Sequence, residues 1–247
     1  MNILVCISKT PDTTSKISFV DDNMKFNEQG VNFIMNPYDE WYALVRAIEL
    51  VEQNGGKVTV ISVGGSDYDI IIRKALAIGA DNAVRIDMQA EDASQVALEI
   101  ANYARSRDFE VIFTGKETID FNGSEVGAMI AALLDMPFVS YASHLEYADG
   151  KFVIDRDIEG GIEKVQVNEK FVLSAAKGLA QQRIPNMKGI MMSKSKPLEV
   201  MTPLSGNHPR VKVDGFETPP AKSGVKLINP ENMDELVRLL HEEAKVI

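Results

Sequence analysis

The chain has 247 residues, enough for one α/β domain with an extension and a substantial hydrophobic core. Lysine and arginine total 26 against 36 aspartate and glutamate residues, and this net charge of −10 argues against a nucleic-acid binder, whose phosphate contacts need clustered cations. One cysteine excludes an internal disulfide and a cysteine-based zinc site, and the lack of a signal peptide and of an apolar run of about 20 residues predicts a cytoplasmic protein without direct membrane insertion.

Residues 2–137 alternate short apolar runs with helical periods, the pattern of βα units wound on a parallel sheet. Between the first strand and the first helix, two short strands around Asp21-Asp22-Asn23 predict an inserted hairpin. The predicted buried strands cover residues 2–8, 57–63, 83–87 and 110–114.

Three apolar stripes predict the helices between these strands. Asn36 and Pro37 are expected to begin the first helix, as its N-cap and its first helical residue. A second stripe runs from Ala93 to Ala104, and a third helix is expected to begin near Ser124. The apolar face of the first helix consists of Trp41, Leu44, Val45, Ile48 and Val51.

After Pro137 the pattern changes to alternating runs separated by glycine-containing turns. Residues 144–168 therefore predict an antiparallel β meander, and residues 170–176 predict a last buried strand.

The remaining chain, from about Lys177, is rich in proline and has little periodicity until Asn229-Pro230, which are expected to begin a final amphipathic helix. Such a segment cannot bury much surface against itself. We therefore divide the chain into an α/β nucleotide-binding domain at residues 1–190 and an extended C-terminal arm at residues 191–247, whose last helix wraps around a partner.

Two glycine-containing loops follow predicted strands: VGGSDYD after residues 57–63 and TGKETIDFNGSEVG after residues 110–114. In a parallel sheet, ligands bind at the carboxyl ends of the strands, where helix N-termini offer free N–H groups to phosphates. A glycine after a strand can also be no more than turn geometry. Because two such loops follow strands expected to be near neighbours, the sequence favours a bound nucleotide, although neither loop has the Rossmann or P-loop pattern.

Catalytic and metal-binding patterns are missing from the sequence. His144, His208 and His241 are scattered over the meander, the arm and the last helix without metal-ligand spacing. Cys6 lies inside a predicted buried strand, where thiols are usually inert. We therefore predict a protein that is not an enzyme and holds no metal.

The segment RIPNMKGIMMSKSKPLEV, residues 183–200, combines methionines with cationic side chains in an otherwise acidic chain. Methionine is flexible and polarizable, and flanking cations steer an acidic partner, so the segment predicts a tolerant docking surface. The alternative is that Met187, Ile190 and Met191 form a helical stripe that packs on the sheet.

An ordered set of segments resembles the β subunit of the electron transfer flavoprotein family over nearly the whole chain. Their joint order and spacing make the resemblance specific. The segments are CISKTPDT, MNPYDEWYAL at the first helix, RKALAIGAD before the third strand, GKETID followed by VG, DIEGG in the meander, and RIPNMKGIMMSKSKPLEV.

The resemblance implies a doubly wound, mostly parallel α/β sheet with adenine-nucleotide-hydrolase-like topology, an antiparallel meander and an extended arm. It implies a heterodimer whose larger alpha subunit holds most of the redox FAD. This carrier would take electrons from acyl-CoA or other dehydrogenases and pass them to a quinone oxidoreductase or a similar acceptor. The β subunit would bury a structural AMP, or a second FAD in electron-bifurcating members.

The resemblance also implies roles for particular residues. Residues 175–197 match the recognition loop that grips dehydrogenases, with Met187 as apolar anchor beside Ile190 and Met191, and Asp157 stands where the family often has a glutamate that contacts the alpha subunit. The implied nucleotide-lining positions are Cys6, Asn36, Pro37, Tyr38, Asp39, Val63, Gly64, Gly115, Lys116, Asp120, Asn122, Gly123, Ser124, Glu125 and Val126.

The sequence departs from the family pattern in the second loop. Glu125 and Val126 stand where glutamine and threonine are common, and a carboxylate aimed at phosphate would weaken binding. Phe121-Asn122-Gly123 and Ala128 replace residues typical of bifurcating members, which favours the AMP variety.

Two other functions stay open on the sequence. One is a stand-alone adenine-nucleotide sensor similar to universal stress proteins, which would leave the meander and the arm unexplained. The other is an enzyme acting on adenylate, for which Lys116, Glu117 and Asp120 would be the nearby candidates.

Overall fold

The computed structural model describes residues 1–222 and 224–247. A 3₁₀ turn spans Ser66–Tyr68, and a π-helical turn spans Leu239–Ala244. The strands are β1 (Asn2–Cys6), β2 (Lys9–Pro11), β3 (Phe19–Val20), β4 (Lys25–Phe26), β5 (Phe33–Met35), β6 (Lys57–Val63), β7 (Asn82–Ile86), β8 (Val111–Gly115), β9 (Phe138–Ala148), β10 (Lys151–Ile158), β11 (Gly161–Val167), β12 (Phe171–Ala175) and β13 (Leu198–Met201). The helices are α1 (Asp39–Asn54), α2 (Asp69–Ile78), α3 (Ala93–Arg105), α4 (Val126–Leu134), α5 (Met187–Ser193) and α6 (Met233–Arg238).

Within the described residues, the central sheet has the strand order β11-β10-β9-β12-β8-β1-β6-β7-β13. The pairs from β9 through β12, β8, β1, β6 and β7 to β13 are parallel, and β9, β10 and β11 form the antiparallel meander. The predicted doubly wound, mostly parallel α/β fold is therefore confirmed. The meander continues the main sheet, because β9 pairs with β12.

Strand β1 lies where the direction of winding reverses. The chain runs from β1 through β6 to β7 on one side, and then returns to β8 on the other side of β1. Ligands bind at such switch points in open α/β sheets, outside the carboxyl ends of the strands. Alternate residues of β1 serve the two layers: Ile3 and Val5 pack toward α1 and α2, whereas Leu4 and Cys6 pack toward α3 and α4.

The beginning of α1 differs from the prediction. The helix starts at Asp39, and Tyr38 precedes it with φ 63°, so Asn36 and Pro37 do not begin the helix. Asn36 is fully buried, and its amide bonds the loop after β8 instead of capping a helix. On the predicted apolar face of α1, Trp41 and Ile48 are buried, which confirms the prediction for these residues.

The inserted hairpin is confirmed, with β3 and β4 joined through Asp21, Asp22 and Asn23 at positive φ. Two elements differ from the predictions. Strand β13 pairs with β7 at the edge of the sheet, whereas the sequence places residues 198–201 in the predicted arm. The final helix is capped by Asn232, whose side chain accepts from the Glu235 N–H, and not by Asn229.

The first part of the arm packs on its own domain. The Leu204 N–H donates to the Glu99 carboxylate of α3 at 3.0 Å, and Phe216 stacks on Phe19 of the hairpin with ring centroids 4.9 Å apart. Farther along, the arm exposes apolar side chains: Val225 is 88% and Leu227 is 91% exposed.

Candidate functional site

The carboxyl ends of β1, β6 and β8 bring together predicted residues from distant parts of the chain. Cys6 pairs with Ile61 of β6, and Val5 pairs with Phe113 of β8, so the ends of the three strands are side by side. Val63 and Gly64 are buried at the end of β6. The predicted residues Cys6, Val63, Gly64 and Gly115 therefore lie at one edge of the sheet.

Asn36 and Gly115 connect α1 to the loop after β8. The Asn36 Nδ2 donates to the Glu117 carbonyl oxygen at 2.9 Å, and its Oδ1 accepts from the Ile119 N–H at 3.1 Å. A Cβ atom on Gly115 would lie 2.7 Å from the Cγ of Glu40, so only glycine allows β8 to end this close to α1. The loop is thus held by residues at the beginning of the first helix.

Glu40 is a buried carboxyl group at this edge, and it was not among the sequence-predicted site residues. Its two oxygens accept from the Ser8 N–H at 2.7 Å and from the Ser8 hydroxyl at 2.6 Å. Burial raises the pKa of Glu40 to about 8, with a smaller contribution from Asp120 and Asp39. Burial also raises the pKa of the Cys6 thiol, in agreement with an inert packing role.

The outer part of the loop after β8 is exposed, and Asn122 and Ser124 have positive φ. Glu125 directly precedes α4, and in the described chain its side chain makes no capping hydrogen bond. The first N–H of this helix with an intrahelical acceptor is that of Met129, which bonds the Glu125 carbonyl oxygen. In the part of the chain that the structure describes, the N–H groups of residues 126–128 precede this bond, and N–H groups at a helix N-terminus can bind an anion.

The charged side chains around this edge are mostly acidic. Lys116 pairs with Glu117 at 2.7 Å, and Asp39 is partly buried, which raises its pKa. Asp120 is exposed at the rim. A bound phosphate would depend on Lys116 and on the N-terminus of α4, since the carboxylates repel it.

Arg85 holds the loop after β6, and it too was missed. Its side chain is only 6% exposed, and it donates to the Gly64 carbonyl oxygen at 3.0 Å, to Asp69 at 2.8 Å and to Asp87. The available signal was an arginine between apolar residues inside the predicted buried strand AVRID. Pro37 is partly buried and Tyr38 is exposed beside the start of α1.

The predicted docking residues fall on two separate elements. Met187, Ile190 and Met191 lie on α5 and are 74%, 43% and 71% exposed, so the alternative of a stripe packed on the sheet is wrong. Asp157 lies on β10 of the meander, where its carboxylate accepts from the Ser143 hydroxyl at 2.8 Å. In the sheet, β10 lies on one side of β1. Helix α5 packs on α2, which contacts β6 and β7 on the other side of β1.

The structure of residues 1–222 and 224–247 also bears on metal binding and on membrane spanning. In this part of the chain, no cluster of three or more histidine, cysteine, aspartate and glutamate side chains is arranged to hold a metal ion. None of the helices described there combines the length and the apolar character needed to cross a membrane.

Comparison with known proteins finds one matching family. The model of the electron transfer flavoprotein domain matches residues 23–204. The electron transfer flavoprotein subunit beta of Bacillus subtilis (strain 168) is 35% identical over 260 residues, covering 100% of both chains. The mitochondrial subunit beta of Arabidopsis thaliana is 33% identical, covering 100% of both chains, and the human subunit beta is 29% identical, covering 100% of this chain and 99% of that protein.

Proposed function

The chain belongs to the electron transfer flavoprotein family, and from this premise we propose that it is the beta subunit of a heterodimer that carries electrons from dehydrogenases to a quinone oxidoreductase or a similar acceptor. The redox FAD is held mainly by the alpha subunit. The beta subunit holds a structural AMP, docks the dehydrogenase and performs no catalysis with its own side chains. The sequence predicts the cytoplasm as its compartment, whereas the Arabidopsis relative is named mitochondrial.

The fixed loop after β8 carries the proposal of an AMP site. Asn36 orders this loop from a fully buried position, although a purely structural connection between β8 and α4 does not require the 10-residue glycine-containing segment at residues 116–125. Lys116 and the N–H groups at the start of α4 fit a single phosphate. Cys6 and Val63 lie at the carboxyl ends of β1 and β6, and an apolar edge of this kind suits the adenine ring of an adenylate. Bound AMP supplies no chemistry, because its role is architectural.

Glu125 limits what the site can hold. Its side chain is exposed and free of a capping bond in the described chain, so it can turn away from a phosphate. Asp39, Glu117 and Asp120 already give this edge negative charge, so the site needs Lys116 and the N-terminus of α4 to hold a phosphate. Phe121-Asn122-Gly123 and Ala128, which depart from the pattern of bifurcating members, favour AMP over a second FAD.

The exposed apolar side chains of α5 support the docking proposal. Met187 and Met191 project into solvent beside the cations Lys188 and Lys194. A flexible thioether adapts to pockets of different shape, and the cations accelerate encounter with an acidic face. Small interfaces of this kind suit transient redox encounters.

The arm supports the heterodimer proposal. Val225, Leu227 and Val237 are more than half exposed, which is costly for a chain on its own. We assign these side chains to the contact with the alpha subunit, so the arm at residues 191–247 packs partly on its own domain and partly on the partner. Asp157, held by Ser143, contacts the same subunit.

Nucleotide analysis of the heterodimer tests the proposal. The complex purified with its alpha subunit should be yellow and should release one FAD and one AMP on denaturation. Two FAD per heterodimer would instead assign the chain to the bifurcating class. A chain that is stable as a homodimer with ATP, and that does not bind the alpha subunit, would contradict the whole proposal.

Kinetics test the docking role. Met187→Ala should raise the KM for the heterodimer in its reduction by an acyl-CoA dehydrogenase and leave the flavin content unchanged. Met187→Leu, which keeps the apolar volume, is the matched control and should stay near the parent. Equal reduction rates for the alanine variant and the parent would contradict docking through Met187.

A further inference from the structure

Residues 183–196 carry the exposed methionines, and this segment is attached to the domain at its start. The Trp41 Nε1–H of α1 donates to the Arg183 carbonyl oxygen at 3.1 Å. The Arg183 guanidinium pairs with both carboxylate oxygens of Glu52, at 2.8 and 2.9 Å. Two positions on α1 therefore hold the beginning of the segment.

Two cations hold the end of the segment. One reaches from α2 to the segment, and the other reaches from the segment back to α2. Arg73 of α2 donates through Nη1 to the carbonyl oxygens of Ser193 and Lys196, both at 2.8 Å. Lys196 in turn donates through Nζ to the carbonyl oxygens of Leu76 and Ala80, at 2.9 and 2.6 Å. Carbonyl groups at helix C-termini have no intrahelical partner, so Arg73 satisfies an acceptor at the end of α5, and Lys196, which follows α5, satisfies acceptors at the end of α2.

Close backbone contact completes the attachment of α5 to α2. A Cβ atom on Gly189 would lie 2.3 Å from the Ala77 carbonyl oxygen, so α5 can approach this near only with glycine there. The Asn186 side chain caps α5 by accepting from the Gly189 N–H at 2.8 Å.

Apolar packing does little to hold α5 in place. The helix has seven residues, too few to be stable alone, and Ser193 is its buried residue. Met187 and Met191 point away from the domain, since each is more than 70% exposed. The polar attachment to α2 therefore sets the position of the helix.

We propose that Arg73 and Lys196 are positioning residues for docking, which act by holding α5 on α2 so that Met187 is presented to a dehydrogenase in one fixed place. This inference rests on the proposed docking role of Met187. A helix already ordered in the free protein loses less conformational entropy when the partner binds, and hence docks more tightly.

Three variants of the intact heterodimer test the inference. Arg73→Met and Lys196→Met keep the aliphatic stem and remove the donors, whereas Gly189→Ala introduces a clash without changing the charge. Each should raise the KM for the heterodimer in reduction by an acyl-CoA dehydrogenase by about threefold or more, with kcat and flavin content unchanged. The amide hydrogens of residues 187–196 should also exchange faster with deuterium.

Two controls separate positioning from charge and from general instability. Lys151→Met, on the exposed first residue of β10, removes one positive charge without touching α5 and should keep the parent KM and exchange. Arg73→Lys keeps the charge and one donor, so it should lie between the parent and Arg73→Met. If Arg73→Met does not fold, Arg73→Lys and Gly189→Ala carry the test.

A double-mutant cycle decides whether Arg73 acts through Met187. Met187→Ala combined with Arg73→Met should have the same KM as Met187→Ala alone, because the position of α5 no longer matters for docking once Met187 is removed. Effects that simply multiply would overturn the positioning role. So would parent-like KM and exchange in Arg73→Met, Lys196→Met and Gly189→Ala while Met187→Ala still raises the KM. A parent-like KM for Met187→Ala would instead contradict the docking proposal itself.

Discussion

Asn36 and Glu117 are 81 residues apart in the chain, yet the Asn36 amide nitrogen lies 2.9 Å from the Glu117 carbonyl oxygen. The same side chain accepts from the Ile119 N–H, so one buried amide satisfies the hydrogen-bonding needs of two backbone groups that water would otherwise bond. The loop after β8 is thereby ordered from the start of the first helix.

Removal of this amide should loosen the loop. Asn36→Ala leaves a buried donor and a buried acceptor unpaired, and we expect it to lower the free energy of unfolding by about 2 kcal/mol. AMP content per heterodimer should fall in parallel. Asn36→Asp keeps the acceptor for Ile119 but loses the donor to Glu117 and buries an unpaired carboxylate, so it should lose at least as much stability in urea titrations. Full AMP content in the alanine variant would contradict the link between the amide and the site.

Glu40 should make stability depend on pH. Its pKa is raised from 4.5 to about 8, so between these values the folded chain holds a proton that the unfolded chain has lost. Stability from this group is thus present below pH 4.5 and is lost as the pH rises through about 8. Over this window the loss is roughly 2–5 kcal/mol.

The variant Glu40→Gln isolates this effect. A neutral amide can accept from the Ser8 N–H and donate to the Ser8 hydroxyl, so the contacts survive without the titration. The free energy of unfolding, measured from pH 5 to pH 8, should be flatter than for the parent. If the free energy of unfolding changed with pH in the same way for both proteins, Glu40 would be ionised in the folded chain, which would contradict its raised pKa.

Arg85 should be essential for the loop after β6. Arg85→Met leaves the Gly64 carbonyl oxygen and the carboxylates of Asp69 and Asp87 without their cation. We expect a loss of roughly 2–4 kcal/mol in the free energy of unfolding. The nearby strand position Asn82 is partly exposed, and Asn82→Ala serves as a control that should lose clearly less. Similar urea midpoints for the two variants would refute this role.

Asp92 connects the arm to α3 and should control its attachment. One carboxylate oxygen accepts from the Gln95 N–H at 2.9 Å and caps α3, and the other accepts from the N–H groups of Arg210 and Val211 in the arm. Asp92→Asn keeps the cap but turns an amide donor toward the arm, whereas Asp92→Ala loses both contacts. Trypsin should cleave after Arg210 faster in both variants, and only the alanine variant should also lose about 1 kcal/mol of stability.

The pKa of Asp92 makes the same contact sensitive to acid. Burial opposes the shift, but the hydrogen bonds from Gln95, Ser94 and the arm lower the pKa from 3.8 to about 2. The stability from this carboxylate is present above pH 3.8 and is lost as the pH falls through about 2. Cleavage within the arm by pepsin, which is active in acid, should therefore accelerate between these values in the parent, and not in Asp92→Ala.

Local patterns in the sequence determined the fold class and the edge of the sheet that carries the candidate site. Apolar runs and helical stripes report which neighbouring residues share a buried face, and this information needs no knowledge of the rest of the chain. It was enough to predict β1, the glycine after β8, the hairpin around Asp22 and the meander.

Contacts between distant residues were decided only by the tertiary structure. Asn36 has the side chain of an N-cap, but its amide bonds a loop 81 residues away, and Glu40 and Arg85 are charged residues whose burial depends on Ser8 and Gly64. Likewise, the exposed methionines of α5 could have been core, until Arg73 and Gly189 were seen to hold the helix with its apolar side outward. Periodicity describes one element at a time, whereas partners of buried polar groups are chosen by the packing of all elements together.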